Sequence, residues 1–208
     1  MSPTSLFPDE PLSIAIIGTA GRGTDAARLT KEVYAQMQNL AYQTVMEISQ
    51  GKSVHLVSGG AAYADHLAVD LYITGKCDSL ALHLPCAWDL EGFQFIDTGV
   101  FDWKTNPGGT SNHFHRAFSA KTNKSSLLDI ARAIAKGAKV VVGSGFHDRN
   151  TAVSKATAVI AFTYGVGPLL KDGGTADTMK KYLKNHVDAD LSYHVDLNTM
   201  QVHKGAKV

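Results

Sequence analysis

The chain has 208 residues, 44% of them hydrophobic, and its 20 Lys+Arg against 19 Asp+Glu leave a net charge of +1. That length buries a full core as one domain, and the near-neutral balance argues against the broad basic field of a nucleic-acid binder. No apolar run reaches the ~20 residues that span a membrane; Cys77 and Cys86, in a sequence with no signal peptide, read as reduced thiols of a cytoplasmic protein.

Residues 1–11 carry three prolines and read as a loose leader. Leu12 to Ile17 is a short β-branched run that predicts a buried strand ending at Gly18. Residues 25–50 lack Gly and Pro and repeat apolar side chains at Leu29, Val33, Met37, Leu40 and Val45, which predicts one long amphipathic helix closed by Gly51. Val54 to Val57 predicts the second strand, residues 61–74 the second helix, closed by Gly75, and Leu80 to Leu84 the third strand, stopped by Pro85. Residues 86–123 show no clean period and read as a long irregular segment, a lid or an interface. Helix resumes over 125–136, a short strand follows at Val140 to Val142, and Phe146 to Ala156 reads as helix. Ala158 to Phe162 is the next strand, Thr175 to Asn185 the last helix, and Leu191 to Val195 with Met200 to His203 a terminal strand or hairpin. The alternation predicts an α/β, Rossmann-like, doubly wound and mostly parallel sheet with helices on both faces. Residues 12–195 form a single domain in this reading, with an insertion at about 92–146 and a C-terminal strand or tail at 196–208.

Three glycine-rich segments stand where a strand hands over to a helix: Gly18-Thr19-Ala20-Gly21-Arg22-Gly23, Ser58-Gly59-Gly60-Ala61-Ala62 and Asp172-Gly173-Gly174-Thr175-Ala176-Asp177. Bare backbone turning into a helix offers unpaired N–H groups and a positive dipole end, which suits phosphate or carboxylate. Three such turns in one α/β chain point to an anionic, nucleotide-like ligand. The first is spaced G-x-x-G-x-G rather than G-x-G-x-x-G, and no acidic residue ends the second strand to hold a ribose, so an NAD-dependent dehydrogenase is not expected. A G-x-x-x-x-G-K-[ST] loop is absent from the sequence, which excludes a P-loop NTPase.

Taken in order, these segments with Asp65, Pro85-Cys86-Ala87-Trp88, Arg149-Asn150 and Ala161-Phe162 resemble the SLOG superfamily of Rossmann-like proteins. The likeness is greatest to the YspA-like, cpYpsA-related branch, with more distant similarity to the Lonely Guy phosphoribohydrolases and the DNA-processing protein DprA. The resemblance implies a ligand cleft at the carboxyl ends of the central strands. Gly18, Thr19, Gly21, Arg22 and Gly23 would line one wall and Ser58, Gly59 and Gly60 another, with Gly173, Gly174 and Thr175 holding phosphate. Arg22 and Arg149, the latter beside Asn150, would be the cations, since planar guanidinium suits bidentate phosphate contact.

Two departures from the pattern bear on activity. Lonely Guy enzymes carry a glutamate just after the third turn, whereas this chain has Thr175-Ala176-Asp177-Thr178-Met179-Lys180, so Asp177 is the carboxylate nearest to that place. Asp177 is read either as a catalytic acid or as an early-turn acid favourable to the helix dipole. Asp65 is read either as a second catalytic carboxylate or as a brace that accepts backbone N–H groups of the second glycine loop. Tyr63 replaces a glycine of the family pattern and either stacks on a base or fills space.

His113 and His115 would share one side of a strand, but without a third ligand at metal spacing no metal is expected. They and Trp88 are instead candidate lid residues. No cofactor is expected. The leading expectation is a protein that binds a nucleotide or nucleotide-sugar, ADP-ribose-type ligands included, for sensing or sequestration. The alternative is a nucleotide N-glycosidase or ribosyl transferase using Asp177 or Asp65; DprA-like single-strand DNA binding fits the charge poorly. The resemblance also implies a homodimer or larger homo-oligomer.

Overall fold

The computed structural model describes residues 11–186 and 189–208; residues 1–10 of the expected leader lie outside them. In chain order the elements are β1 (Leu12–Gly18), α1 (Asp25–Arg28), α2 (Lys31–Ser49), β2 (Val54–Ser58), α3 (His66–Ile73), β3 (Ser79–Leu84), β4 (Trp88–Asp89), β5 (Gln94–Phe95), α4 (Pro107–Thr122), α5 (Ser126–Ala135), β6 (Lys139–Val142), α6 (Phe146–Val153), β7 (Ala158–Thr163), α7 (Gly174–Asn185), β8 (Ser192–Asp196) and β9 (Gln201–Lys204). A single turn of 3-10 helix, Ala189–Leu191, precedes β8.

Seven strands form one sheet in the order β6-β3-β2-β1-β7-β8-β9. All neighbours are parallel except β9, which runs antiparallel to β8. From β1 the chain builds outward through β2, β3 and β6, then returns to the other side of β1 with β7. The strand order therefore reverses between β1 and β7, which is where open α/β sheets form a crevice at their carboxyl ends.

Alternation of side chains along β1 divides the core. Ile14 and Ile16 face one cluster with Met37 and Val45 of α2 and Leu67 of α3; Ala15 and Ile17 face a second with Val153 of α6 and Met179 and Tyr182 of α7. Successive residues of a strand point to opposite faces, so an apolar run of this kind is covered on both sides. The sheet is doubly wound, as the sequence predicts.

Three expectations are corrected. The long helix predicted over 25–50 is broken at Leu29 and Thr30, because the Thr30 hydroxyl accepts the Val33 N–H at 3.2 Å and caps a new helix there. The helix predicted over 61–74 begins only at His66. The segment predicted to be irregular contains α4, sixteen residues long. There the Pro107-Gly108-Gly109 run opens a helix instead of a turn: Pro takes the first helical position, where its missing N–H costs nothing, and the Asn106 side chain accepts the Gly109 N–H at 3.0 Å. The buried Asn112 side chain then clamps β5 through both the N–H and the carbonyl of Phe95. The stretch expected as an insertion thus supplies α4, α5 and β6, the last an edge strand of the main sheet.

Gly108 must be glycine for this packing, since a Cβ there would fall 1.8 Å from the Ile96 carbonyl oxygen and 3.2 Å from Cys86 Sγ. Gly108→Ala is expected to displace the start of α4 and to destabilise the fold by about 1–3 kcal/mol, the usual cost of overpacking. A thermal melt unchanged from the parent chain would refute that account.

Candidate functional site

A cleft of about 490 Å³ opens over the carboxyl ends of β1 and β7, the size range of small-molecule sites. Its walls come from the turn after β1, the turn after β2, the first turns of α6 and α7, and one side of α4.

The turn after β1 is locked by a buried carboxylate. Asp25 accepts the Thr19 hydroxyl at 2.8 Å on one oxygen and pairs with Lys171 at 2.6 Å on the other, while Thr19 Oγ1 in turn accepts the Gly21 N–H at 3.2 Å. Lys171, two residues before Gly173, is thereby held at the cleft wall.

The turn after β2 is held from within. The fully buried Ser58 hydroxyl donates to the Asp65 carbonyl at 2.8 Å and accepts the Gly60 N–H at 3.1 Å, so Ser58 braces the loop rather than lining the cleft. The buried Asp65 carboxylate lies beside the backbone N–H groups of Ala61, Gly59 and Gly18, which favour its charged form. Burial pushes its carboxyl above the ordinary value, against the lowering pull of Arg149 and of those N–H groups. A side chain at position 59 has no room: a Cβ there would meet Asp65 Oδ2 at 2.7 Å and Arg149 Nε at 2.9 Å. Tyr63 sits at φ 59°, the left-handed conformation that favours glycine. Its ring is buried against Phe118, with centroids 4.5 Å apart, and so fills space rather than facing a ligand.

Arg149 is placed by the first turn of α6. Its Nη2 and Nε donate to the Asn150 side-chain oxygen at 2.8 and 3.2 Å, and Nη1 donates to the Gly59 carbonyl at 3.3 Å. Asn150 in turn donates to Asp177 at 3.1 Å. Burial lowers the Arg149 pKa from its ordinary value; the nearby Asp65 opposes the shift and Arg22 adds to it. Arg22 and Arg149 both lie over the Phe146 ring, at 5.5 and 5.3 Å from its centroid, and Arg22 also lies 5.1 Å from the centroid of Phe114. Among the described residues no carboxylate lies within ion-pair distance of either guanidinium.

Helix α7 begins at the cleft without a side-chain cap. Its first helical bond runs from the Asp177 N–H to the Gly173 carbonyl, which leaves the N–H groups of Gly174, Thr175 and Ala176 without a helical partner. The space a Cβ would fill at Gly173 and Gly174 is open.

Of the residues expected from the sequence, Gly18, Thr19, Arg22, Gly23, Gly59, Asp65, Arg149, Asn150, Gly173, Gly174 and Thr175 line this one cleft, while Gly21, Ser58, Gly60 and Asp177 do not. Asp177 is engaged by Asn150 and by Lys181 at 3.0 Å. The lid candidates lie elsewhere. Trp88 packs edge-on against Phe95 in the β4–β5 hairpin. His113 and His115 are on helix α4, where residues two apart point to different sides. His113 is exposed, while His115 is wholly buried. Missed in the sequence were Phe114, Phe146, Asp25 and Lys171, whereas Trp103, at the mouth, belongs to the 86–123 stretch read as a lid or an interface. Lys171 and Asp25 adjoin glycine segments, the signal that could have found them; Phe114 required knowing that α4 is a helix, and Phe146 opens the helix expected over 146–156.

No family model and no solved structure matches the chain. The "uncharacterized protein R261" of Acanthamoeba polyphaga mimivirus is 33% identical over 191 residues, which cover 88% of this chain and 98% of that protein.

His115 connects α4 to the second glycine turn. Its Nε2 lies 3.0 Å from the Gly60 carbonyl oxygen, to which it donates, and Nδ1 lies 3.0 Å from Ser126 Oγ. Burial, with His66 close by, lowers its pKa to about 3 against the opposing Gly60 carbonyl. The folded protein therefore keeps His115 neutral where an unfolded chain, with the ordinary value of 6.5, takes up a proton. This contribution is complete above pH 6.5 and is lost as pH falls towards 3. Between pH 7 and pH 5 it amounts to at most about 2 kcal/mol. Urea unfolding at those two pH values should show a smaller loss in His115→Gln than in the parent, and an equal loss would refute the assignment.

Proposed function

The chain belongs to the same family as mimivirus protein R261, and we propose that it binds a nucleotide or nucleotide-sugar in this cleft, ADP-ribose-type ligands included, for sensing or sequestration. One observation carries the reading. Arg22 and Arg149 converge on the Phe146 ring with no carboxylate in ion-pair reach among the described residues, and the uncapped start of α7 faces the same space. Two like charges in a half-buried cleft repel, and each costs desolvation. An anion between them and the helix end relieves both terms, and guanidinium with backbone N–H is the donor set that phosphate takes. Phe114 and Phe146 supply apolar faces beside the cations, fit for a base or sugar. The SLOG resemblance of the glycine segments agrees with this reading.

Binding without turnover is favoured by the state of the two carboxylates. Asp177 engages Asn150 and Lys181 through Oδ2 and lies outside the cleft lining, and Asp65 is buried beside the N–H groups of both glycine turns, which favour its charged form. Neither presents an exposed carboxylate to the cleft, where a developing sugar cation would need one.

Isothermal titration with AMP, ADP-ribose and unphosphorylated adenosine tests this. The phosphorylated ligands should bind and adenosine should not. Arg149→Ala should weaken binding by roughly 10–100-fold, the worth of lost charge-assisted hydrogen bonds. Chromatography of the recovered ligand should show it intact. Equal binding of adenosine, or unaltered affinity in both Arg149→Ala and Arg22→Ala, would sink the reading. Release of free base would replace it with N-glycosidic cleavage.

A further inference from the structure

Away from the cleft, on the α2–α5 face of the sheet, helices α3 and α5 bring together His66, Asp70 and Asp129. His66 and Asp70 are one turn apart on α3, so their side chains share a face, and Asp129 comes from the first turn of α5. The exposures are 0% for His66 and 5% for each aspartate. His66 Nε2 lies 3.8 Å from Asp70 Oδ1 and 3.6 Å from Asp129 Oδ2, and the three residues each offer a ligand atom within 4.8 Å of the others.

Those separations are too long for hydrogen bonds, and neither ring nitrogen of His66 has a hydrogen-bond partner among the described residues. An imidazole buried and aimed between two carboxylates without bonding either one is costly. The spacing has a different natural origin. Metal–ligand bonds of about 2.0–2.2 Å at tetrahedral to trigonal angles hold donor atoms about 3.3–3.8 Å apart.

The remaining oxygens are already oriented. Asp70 Oδ2 accepts from Tyr34 Oη and Gln38 Nε2, each at 2.7 Å, and Asp129 Oδ1 from Arg132 at 3.1 Å. This leaves Asp70 Oδ1 and Asp129 Oδ2 turned towards His66, as outer partners turn ligands towards a metal. Lys124 Nζ, on a partly exposed side chain, lies 2.7 Å from Asp70 Oδ1. Its ammonium offsets the carboxylate charge and blocks the solvent side of the cluster, so it competes with a cation for the same oxygen.

We propose that His66, Asp70 and Asp129 form a binding site for one divalent transition-metal ion of the zinc class, with Lys124 as the cation that it displaces. One imidazole and two carboxylates suit a borderline ion. The set lacks the thiolates that select soft metals and the six or more oxygens that calcium takes. The site does not border the cleft and is independent of its ligand. The ion would join α3 to α5 beside His115, whose ring centroid is 5.9 Å from that of His66 and which holds the Gly60 carbonyl.

Cobalt(II) titration of the full chain after chelator treatment provides the test, because Co²⁺ replaces Zn²⁺ in such sites and absorbs in the visible. One equivalent should bind with d–d bands that added Zn²⁺ abolishes. Asp129→Asn should lose the bands and bind more weakly by at least the roughly 10–100-fold that removing an outer partner costs. Lys124→Gln keeps all three ligands and should bind more tightly than the parent. Absence of saturable uptake in both the parent and Lys124→Gln would overturn the site. So would an unchanged cobalt spectrum in Asp129→Asn.

Discussion

The buried carboxylate of Asp65 sits where two glycine turns meet, and both depend on it. It faces N–H groups of Gly18, at the end of β1, and of Gly59 and Ala61, after β2. Backbone that leaves two adjacent parallel strands at their carboxyl ends has no ladder partner, and buried N–H groups left unpaired are costly. One acidic side chain at the start of α3 lies beside three of them and is held towards its charged form by them. The same requirement explains the absence of a side chain at position 59, where a Cβ would meet both Asp65 and Arg149. Arg149 then closes over the turn through the Gly59 carbonyl. The anchor of the loop and the cation that faces the cleft are thus neighbours in a single arrangement.

From Arg149 the chain of contacts runs on into α7. Asn150 accepts from Arg149 and donates to both Asp177 and the Gly174 carbonyl, at 3.1 and 3.4 Å. The position of the guanidinium and that of the open helix end are coupled through one amide. Small groups with fixed partners on both sides hold geometry better than a long side chain reaching from a loop. This is the arrangement expected of a preformed anion site, whose donors stand in place before the ligand arrives.

Much of this was legible in the residues, and what was not has physical causes. The strands were legible because β-branched runs ended by Gly or Pro leave little choice, and β1, β2, β3 and β7 were all expected close to where they stand. The glycine turns were legible because few other residues let backbone approach an anion. The start of α4 was not, since Pro107-Gly108-Gly109 carries a turn composition. Only the Ile96 carbonyl and Cys86, packed against Gly108, show why glycine opens a helix there. With α4 hidden, the pairing of Phe114 with Arg22 and the burial of His115 were hidden too. Tyr63 shows the opposite limit. Its departure from a glycine pattern was visible, but the backbone kept the glycine conformation, and the ring went into the core instead of the cleft.

The balance of charge in the cleft bears on chemistry as well as on affinity. Cleaving a glycosidic bond builds positive charge on the sugar, and an enzyme meets it with a carboxylate whose lone pairs are free to turn towards it. Here Asp25 is taken by Lys171 and Thr19, and Asp65 by backbone N–H groups, while two guanidiniums and a helix N-terminus add positive potential. For the phosphorylated ligand proposed above, that field would stabilise the phosphates in the ground state and oppose a cationic transition state. Equal or better holding of the ground state raises affinity without accelerating reaction. Burial does raise the Asp65 pKa from its ordinary value, but a proton placed there would forfeit acceptor capacity beside the glycine turns. The arrangement therefore favours retention of an anionic ligand over its cleavage.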